Sequence, residues 1–262
     1  MNKTLTRGKR YMNYFTQLLI ICPLVFLAGF IDSVAGGGGL LSTPAYMMAG
    51  LPMHNVLATN KVMSSVGTSM AAAKYIKSGK IQWNTAIISA VLSFAGSFTG
   101  SQIALLIDQT MLKTAFTCVL PFIAAFVLFN KKSEEGVQKL FGIKMYIAAA
   151  VIGFVIGMYD GLIGPGTGTF LIFAYTLIIG FDYITASGNA KVINLSSNVA
   201  AASSYIMAGK VLWAIAIPAA VANTLGNFLG SSYALKNGGK AVKKMLIVVL
   251  VGIFIKLVTD II

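Results

Sequence analysis

Charge is what this chain has least of. Only 7 acidic and 20 basic residues occur among 262, or 10% charged, where a soluble domain carries about 25%. With 57% hydrophobic residues and a mean hydropathy of +0.82, that deficit excludes an ordinary soluble domain and implies an integral membrane protein. Histidine is nearly missing, and His54 alone cannot build a His-based metal site. The two cysteines, Cys22 and Cys118, lie in apolar segments without ligand spacing and read as small packing residues. No Walker motif, Gly-x-Ser-x-Gly or His-Glu-x-x-His is present. Self-contained ATP-driven pumping is therefore excluded, and no enzyme activity, metal or cofactor is expected. No run of alternating ten-residue strands suggests a β-barrel. No aromatic-and-basic motif points to nucleic acid, so the net charge of +13 is assigned to loops beside anionic lipid.

What is present is a series of apolar segments long enough to be helices. The expected fold is an all-α polytopic membrane protein. The basic start, with Lys3, Arg7, Lys9 and Arg10, leads into a first transmembrane helix rather than a cleaved signal, because no small-x-small site ends the run. Helices are expected from about Tyr14 to Ala35, Leu40 to Leu51, Val56 to Ile76, Trp83 to Leu106 and Met111 to Phe129. A polar stretch from Asn130 to Lys144 follows.

Two stretches break this pattern. The first, Ala28 to Ala45, carries Asp32, then Gly36, Gly37, Gly38 and Gly39, then Ser42, Thr43 and Pro44. Each glycine costs a helix about 1 kcal/mol relative to Ala. In hydrocarbon every freed backbone group must find a partner. Such a break is tolerable only where it is buried in protein or lines a polar cavity. The second, Gly157 to Leu171, carries Asp160 and the pattern Gly164-Pro165-Gly166-Thr167-Gly168-Thr169.

The breaks belong to an internal duplication. Lys61 pairs with Lys191, Tyr75 with Tyr205, Gly79 with Gly209 and Trp83 with Trp213, each 130 positions apart. Gly96, Phe98, Gly100 and Ser101 pair with Gly226, Phe228, Gly230 and Ser231 at the same spacing. Asp32 and Asp160 stand 128 apart, so two residues were gained between break and lysine. Duplication with broken helices is a common plan of secondary transporters. The expected organisation is a basic cytoplasmic N-terminus (1–13), a first repeat (14–129), a polar linker (130–144) and a second repeat (145–262). If each broken segment crosses once, about eight helices cross, the repeats are parallel and both termini are cytoplasmic; re-entrant breaks would invert the repeats. The parallel arrangement is the expectation, in a multi-pass protein of the cytoplasmic membrane.

The polar residues inside the apolar segments mark the site. A charge at a helix centre costs about 2.5–3.5 kcal/mol on the insertion scale. Lys61 heads a stripe with Ser64, Ser65 and Thr68, and Lys191 one with Asn194 and Asn198. The two lysines bind an anion, or they snorkel or pair with the acids. Asp32 and Asp160 carry a coupling proton, order the glycine breaks, or balance a lysine. The glycine runs form N–H nests for an anion, or serve close packing. Gly96-xxx-Gly100 and Gly226-xxx-Gly230 are packing motifs. The second stripe beside them (Ser93, Ser97, Ser101; Asn223, Asn227, Ser231) lines the same cavity or serves packing.

Together these residues resemble the sulfite exporter TauE/SafE family of membrane permeases. The first half reads GFIDSVAGGGGLLSTPAYMMAGLP, ATNK and YIKSGKIQW; the second reads GMYDGLIGPGTGTFLI, SGNAKVINLSSN and YIMAGKVLW. The resemblance runs from about Leu18 to Leu235. It implies a duplicated helical transporter moving sulfite, organosulfonates or related sulfur anions, usually outward. The expected substrate-binding set is Gly36, Gly37, Gly38, Gly39, Thr43, Asn60, Lys61, Gly164, Gly166, Thr167, Gly168, Asn189, Lys191 and Asn194, with Asp32 and Asp160 as coupling or structural acids. The expected partners are a small anion, the lipid bilayer and protons as a coupling ion. A passive anion channel is the alternative. An intramembrane aspartyl protease is a remote one, since Tyr159-Asp160 resembles one of its motifs but the required Gly-x-Gly-Asp is missing at Asp32.

Overall fold

The computed structural model describes residues 12–118 and 136–261. The basic start to residue 11, and residues 119–135 with the first part of the expected linker, lie outside the described residues. Helix α1 (Tyr14–Ala35) is capped by Asn13, whose side chain accepts from the Phe15 N–H, and ends where Gly36 takes a left-handed φ of 77°. Helix α2 (Gly39–Met48) starts three residues later. Helix α3 (Met53–Lys77) begins one turn earlier than expected, because Pro52 supplies the helix entry. Helix α4 spans Trp83–Leu106, and α5 begins at residue 109. Asp108 precedes α5 and accepts from the Thr110 N–H at 2.7 Å, which holds its carboxyl below the usual range.

The same order then recurs. Helix α6 is Gly142–Leu162. Helix α7 (Thr167–Ala174) continues as a wider π-helical turn, Tyr175–Ile179. Helix α8 (Tyr183–Met207) is capped by Asp182, which accepts from the Ile184 and Thr185 N–H groups. Helix α9 (Trp213–Ile261) is interrupted at Gly238, whose φ and ψ of 64° and −159° are not helical. No strand occurs among the described residues.

The direction of the repeats differs from expectation. Asn55, at the start of α3, donates to the Lys210 carbonyl just past α8. Gly188, near the start of α8, abuts the Lys80 carbonyl just past α3. Lys61 meets Asn198 between these points. Equivalent helices α3 and α8 therefore run antiparallel, and the repeats are inverted. Each first helix also runs alongside the fourth helix of the other half. Val25 and Phe30 lie beside Asn223 and Gly230, and Ser89 and Ser97 beside Gly153 and Gly161.

Helix α2 accounts for the inversion. Gln17, near the start of α1, donates to the Ala49 carbonyl at the end of α2. The first break is therefore a hairpin that turns back, not two half-helices end to end. It places the start of α1 and the Lys77–Lys80 loop at opposite ends of the bundle, whereas a break that crosses once would put them at the same end. Hydropathy marks that a segment is apolar and carries no sign of its direction.

The halves are locked by close backbone contact. A Cβ on Gly96 would stand 2.3 Å from the Phe154 carbonyl oxygen, and one on Gly226 would stand 2.0 Å from that of Phe26. The same glycine thus serves the same contact twice, as small-xxx-small packing requires. The opposite faces are apolar and exposed: Ile87 and Val91 on α4, Ile217 and Val221 on α9, Leu19 on α1 and Ile147 on α6. Four described helices are long and apolar enough to cross a membrane: Tyr14–Ala35, Trp83–Leu106, Gly142–Leu162 and Trp213–Met245. Helices α3 and α8 have 25 residues each, or roughly 37 Å, but their polar stripes lower their hydropathy.

Candidate anion site between the broken helices

The glycine breaks meet at the centre of the bundle. The Thr169 N–H donates to the Gly36 carbonyl at 3.2 Å, and the Thr169 hydroxyl donates to the Ala35 carbonyl at 2.9 Å. The backbone groups freed by one break are thus bound by the other, which is what a non-helical segment inside lipid demands. Gly38 and Gly166 occupy the N-cap positions of α2 and α7. Both helix starts open on one cavity of ≈ 30 Å³. One water needs about 10–15 Å³ by such a measure, so the space takes roughly two waters or the centre of a small ion.

Each acid is paired with the lysine of the other half. Lys61 Nζ lies 2.7 Å from Asp160 Oδ2, and Lys191 Nζ lies 2.9 Å from Asp32 Oδ2. All four side chains are buried or nearly so. Burying one charge alone in this environment would cost several kcal/mol, so the crossed pairing is what makes four charges tolerable here. Pairing is thus observed for lysines and acids alike, and the lysines do not snorkel.

The two pairs are held differently. Lys191 also donates to the backbone carbonyl of Asp32, which accepts the Gly36 N–H as well. A cation at the last turn of α1 suits the negative end of that helix. Lys61 instead bonds only side chains: Asp160, and Asn198 Oδ1 at 3.2 Å. Ser197 donates to the same Asp160 oxygen at 2.7 Å. The residue equivalent to Ser197 in the first half is Gly67, so Asp32 has no matching hydroxyl.

Of the residues expected at the site, Asp32, Gly36, Gly38, Gly39, Asn60, Lys61, Asp160, Gly164, Gly166, Thr167, Gly168 and Asn194 line the cavity. Gly37, Thr43, Asn189 and Lys191 are buried but lie outside its lining. Asn189 is drawn to the helix entry instead, donating to the Thr185 carbonyl and accepting from Thr85. Its equivalent is Thr59, which accepts from the Leu212 N–H, whereas the equivalent of Asn60 is Ala190. Asp32 also orders its own break, accepting weakly from the Gly38 N–H at 3.4 Å.

Several lining residues were not in the expected set. Ser42 donates to Asn60 Oδ1 at 2.7 Å and fixes α2 on α3. Ser64, Thr68 and Asn198 line the cavity too, and their signal was the stripe spacing below each lysine. Asn223 reaches the cavity from the second stripe. The rest of that stripe faces neighbouring helices, as where Ser97 donates to the Ser197 carbonyl. No cluster of three or more potential metal ligands occurs among the described residues.

Comparison with known proteins agrees along nearly the whole chain. The family described as Sulfite exporter TauE/SafE matches residues 21–257. A Sinorhizobium protein described as "Probable membrane transporter protein ORF9" is 33% identical over 249 residues, covering 94% of each chain. The Escherichia coli K12 "Probable membrane transporter protein YfcA" is 32% identical over 259 residues, covering 95% of each. A "Probable membrane transporter protein" of Haemophilus influenzae is 29% identical over 245 residues. No solved structure matches.

Proposed function

The chain belongs to the sulfite exporter TauE/SafE family, and from that premise we propose that this membrane transporter is a secondary carrier of small sulfur-containing anions, such as sulfite or an organosulfonate. It works in the cytoplasmic membrane, in the export direction, with protons as the coupling ion. The observation that carries this reading is the convergence of two helix N-termini, at Gly38 and Gly166, with the Lys61 ammonium on one buried cavity. Helix starts present N–H groups and a positive dipole end, so they favour an anion without needing a full charge. Discontinuous helices meeting near mid-membrane are where secondary transporters hold their cargo.

In this reading Asn60, Asn194, Thr167 and the glycines Gly36, Gly38, Gly39, Gly164, Gly166 and Gly168 contact the anion. Gly37, Thr43, Asn189 and Lys191 support the walls. The carboxylates Asp32 and Asp160 each face a lysine, which speaks against the shared-proton acid pair that an aspartyl protease requires. Purified protein tests the cargo directly. Sulfite is expected to raise its thermal stability in a saturable way, with thiosulfate and sulfoacetate competing. Stabilisation by chloride or phosphate to the same degree, at the same concentration, would remove the sulfur specificity.

A further inference from the structure

The sequence makes the two lysine–acid pairs look interchangeable, and the structure does not. Lys191 is fully buried, lies outside the cavity lining, and is fixed to the backbone of Asp32 as well as to its carboxylate. Lys61 faces the cavity and is held only by side chains that can rotate away. Asp160, its partner, also faces the cavity and shares one oxygen with Ser197.

We propose that the pairs have divided the work: Lys61–Asp160 opens to take the anion and a proton, while Lys191–Asp32 stays closed as a clamp between α8 and the end of α1. The proposal rests on the anion-carrier reading and assigns its charge movement. With both pairs closed the four charges sum to zero, so an entering anion finds no uncompensated cation. A proton from bulk water bonds to the Asp160 carboxylate and makes it a neutral acid. The Lys61 ammonium then takes the anion as its new counter-charge, and the loaded site is again neutral. Release of the anion returns Lys61 to Asp160, and the proton leaves the carboxyl on the same side, so export runs on the outward gradient of the anion and carries a proton out with it.

The groups facing Asp160 suit this step. Lys61 reaches it from α3 and Ser197 from α8. Tyr159, on its own helix, donates to the Pro165 carbonyl, and Tyr205 of α8 donates to the Gly161 carbonyl. Among the described residues, the only other charges lining or flanking the cavity are Asp32 and Lys191, already bound to each other. The Ser197 hydroxyl turns from donor to acceptor when the carboxyl becomes protonated, so the neutral acid keeps a partner.

Infrared difference spectroscopy of the purified protein in lipid, titrated through pH, reads the proton without needing a cargo. A protonated-carboxyl band from a buried group is expected in the wild type and in Asp32→Asn, and its loss is expected in Asp160→Asn. In proteoliposomes Asp160→Asn is expected to lose the dependence of sulfite flux on an imposed pH gradient. If Asp32→Asn does not fold, the wild type and Asp160→Asn still decide the point. A band retained in Asp160→Asn, or lost in a folded Asp32→Asn, overturns the proposal. A band that behaves as expected with no sulfite flux would instead uphold the division of the pairs and reject the cargo.

Discussion

Gly36 and Gly168, one from each break, pack backbone against backbone. A Cβ on Gly36 would stand 2.1 Å from the Gly168 carbonyl carbon, and one on Gly168 would stand 2.5 Å from the Gly36 Cα. Neither neighbour can rotate away, because both are main chain. This contact holds the starts of α2 and α7 on one cavity. Gly38 is crowded as well, since a Cβ there would stand 2.7 Å from the Ala28 carbonyl oxygen, so the run needs glycine beyond its left-handed residue.

Gly36→Ala is therefore expected to be severe. A left-handed residue with a Cβ costs roughly 1–2 kcal/mol, and overpacking adds about 1–3 kcal/mol. Gly50 has a similar φ of 81° with nothing within 4 Å, so Gly50→Ala carries only the first cost. Thermal unfolding of both variants in detergent checks the difference. Equal losses would mean that the two breaks do not touch.

Breaking the clamp should cost stability. Lys191→Met leaves Asp32 buried and uncompensated, with an expected loss of about 3–5 kcal/mol. The double variant Lys191→Met/Asp32→Leu removes both charges and is expected to recover most of that loss. A double variant as unstable as the single one would show that the backbone bond from Lys191, and not the charge pair, carries the stability.

The asparagines separate wall from site. Asn189→Ala removes hydrogen bonds at the entry of α8 and should cost about 1–2 kcal/mol of stability while leaving sulfite affinity unchanged. Asn194→Ala should weaken affinity as well as remove the bond that its Oδ1 accepts from the Asn198 amide at 3.3 Å, so the change in affinity is what tells the two variants apart. Titrating sulfite against both variants by thermal shift separates the two effects.

These contrasts show what the sequence holds and what it hides. The bounds of α1 and α4 coincide with their apolar runs, because those helices meet lipid along one face. The duplication was plain from Trp83 and Trp213, and both glycine breaks fall where the paired acids predicted. The inversion was hidden, since an apolar stretch reads alike in both directions and α2 is too short to announce that it turns back. The crossed pairing of Lys61 with Asp160 was hidden for the same reason: only the antiparallel packing of α3 on α8 brings one half's lysine to the other half's acid. Asn189 was misplaced because it sits two residues before Lys191, while Asn60 sits one before Lys61, and a single step turns a helix position by about 100°.

Inverted repeats make a sided prediction. With Cys22 and Cys118 replaced by serine, single cysteines at Asn13 and at Lys80 should label from opposite faces of intact vesicles with a membrane-impermeant thiol reagent. Labelling of both from one face would restore the parallel arrangement. The same experiment assigns the cytoplasmic face. Both termini can be cytoplasmic only if Lys77 and Lys80 face outward, against the usual bias of lysine toward the cytoplasm.

The most direct measurement is sulfite flux into proteoliposomes, with and without an imposed pH gradient, for the wild type and for Lys61→Gln. Saturable flux that accumulates sulfite against its gradient in the wild type, and is lost in a folded Lys61→Gln, is the predicted result; it also separates a carrier from a passive channel. Absence of sulfite flux under any gradient from correctly folded wild-type protein, or wild-type flux from Lys61→Gln, would contradict the assignment of this cavity as a sulfur-anion site.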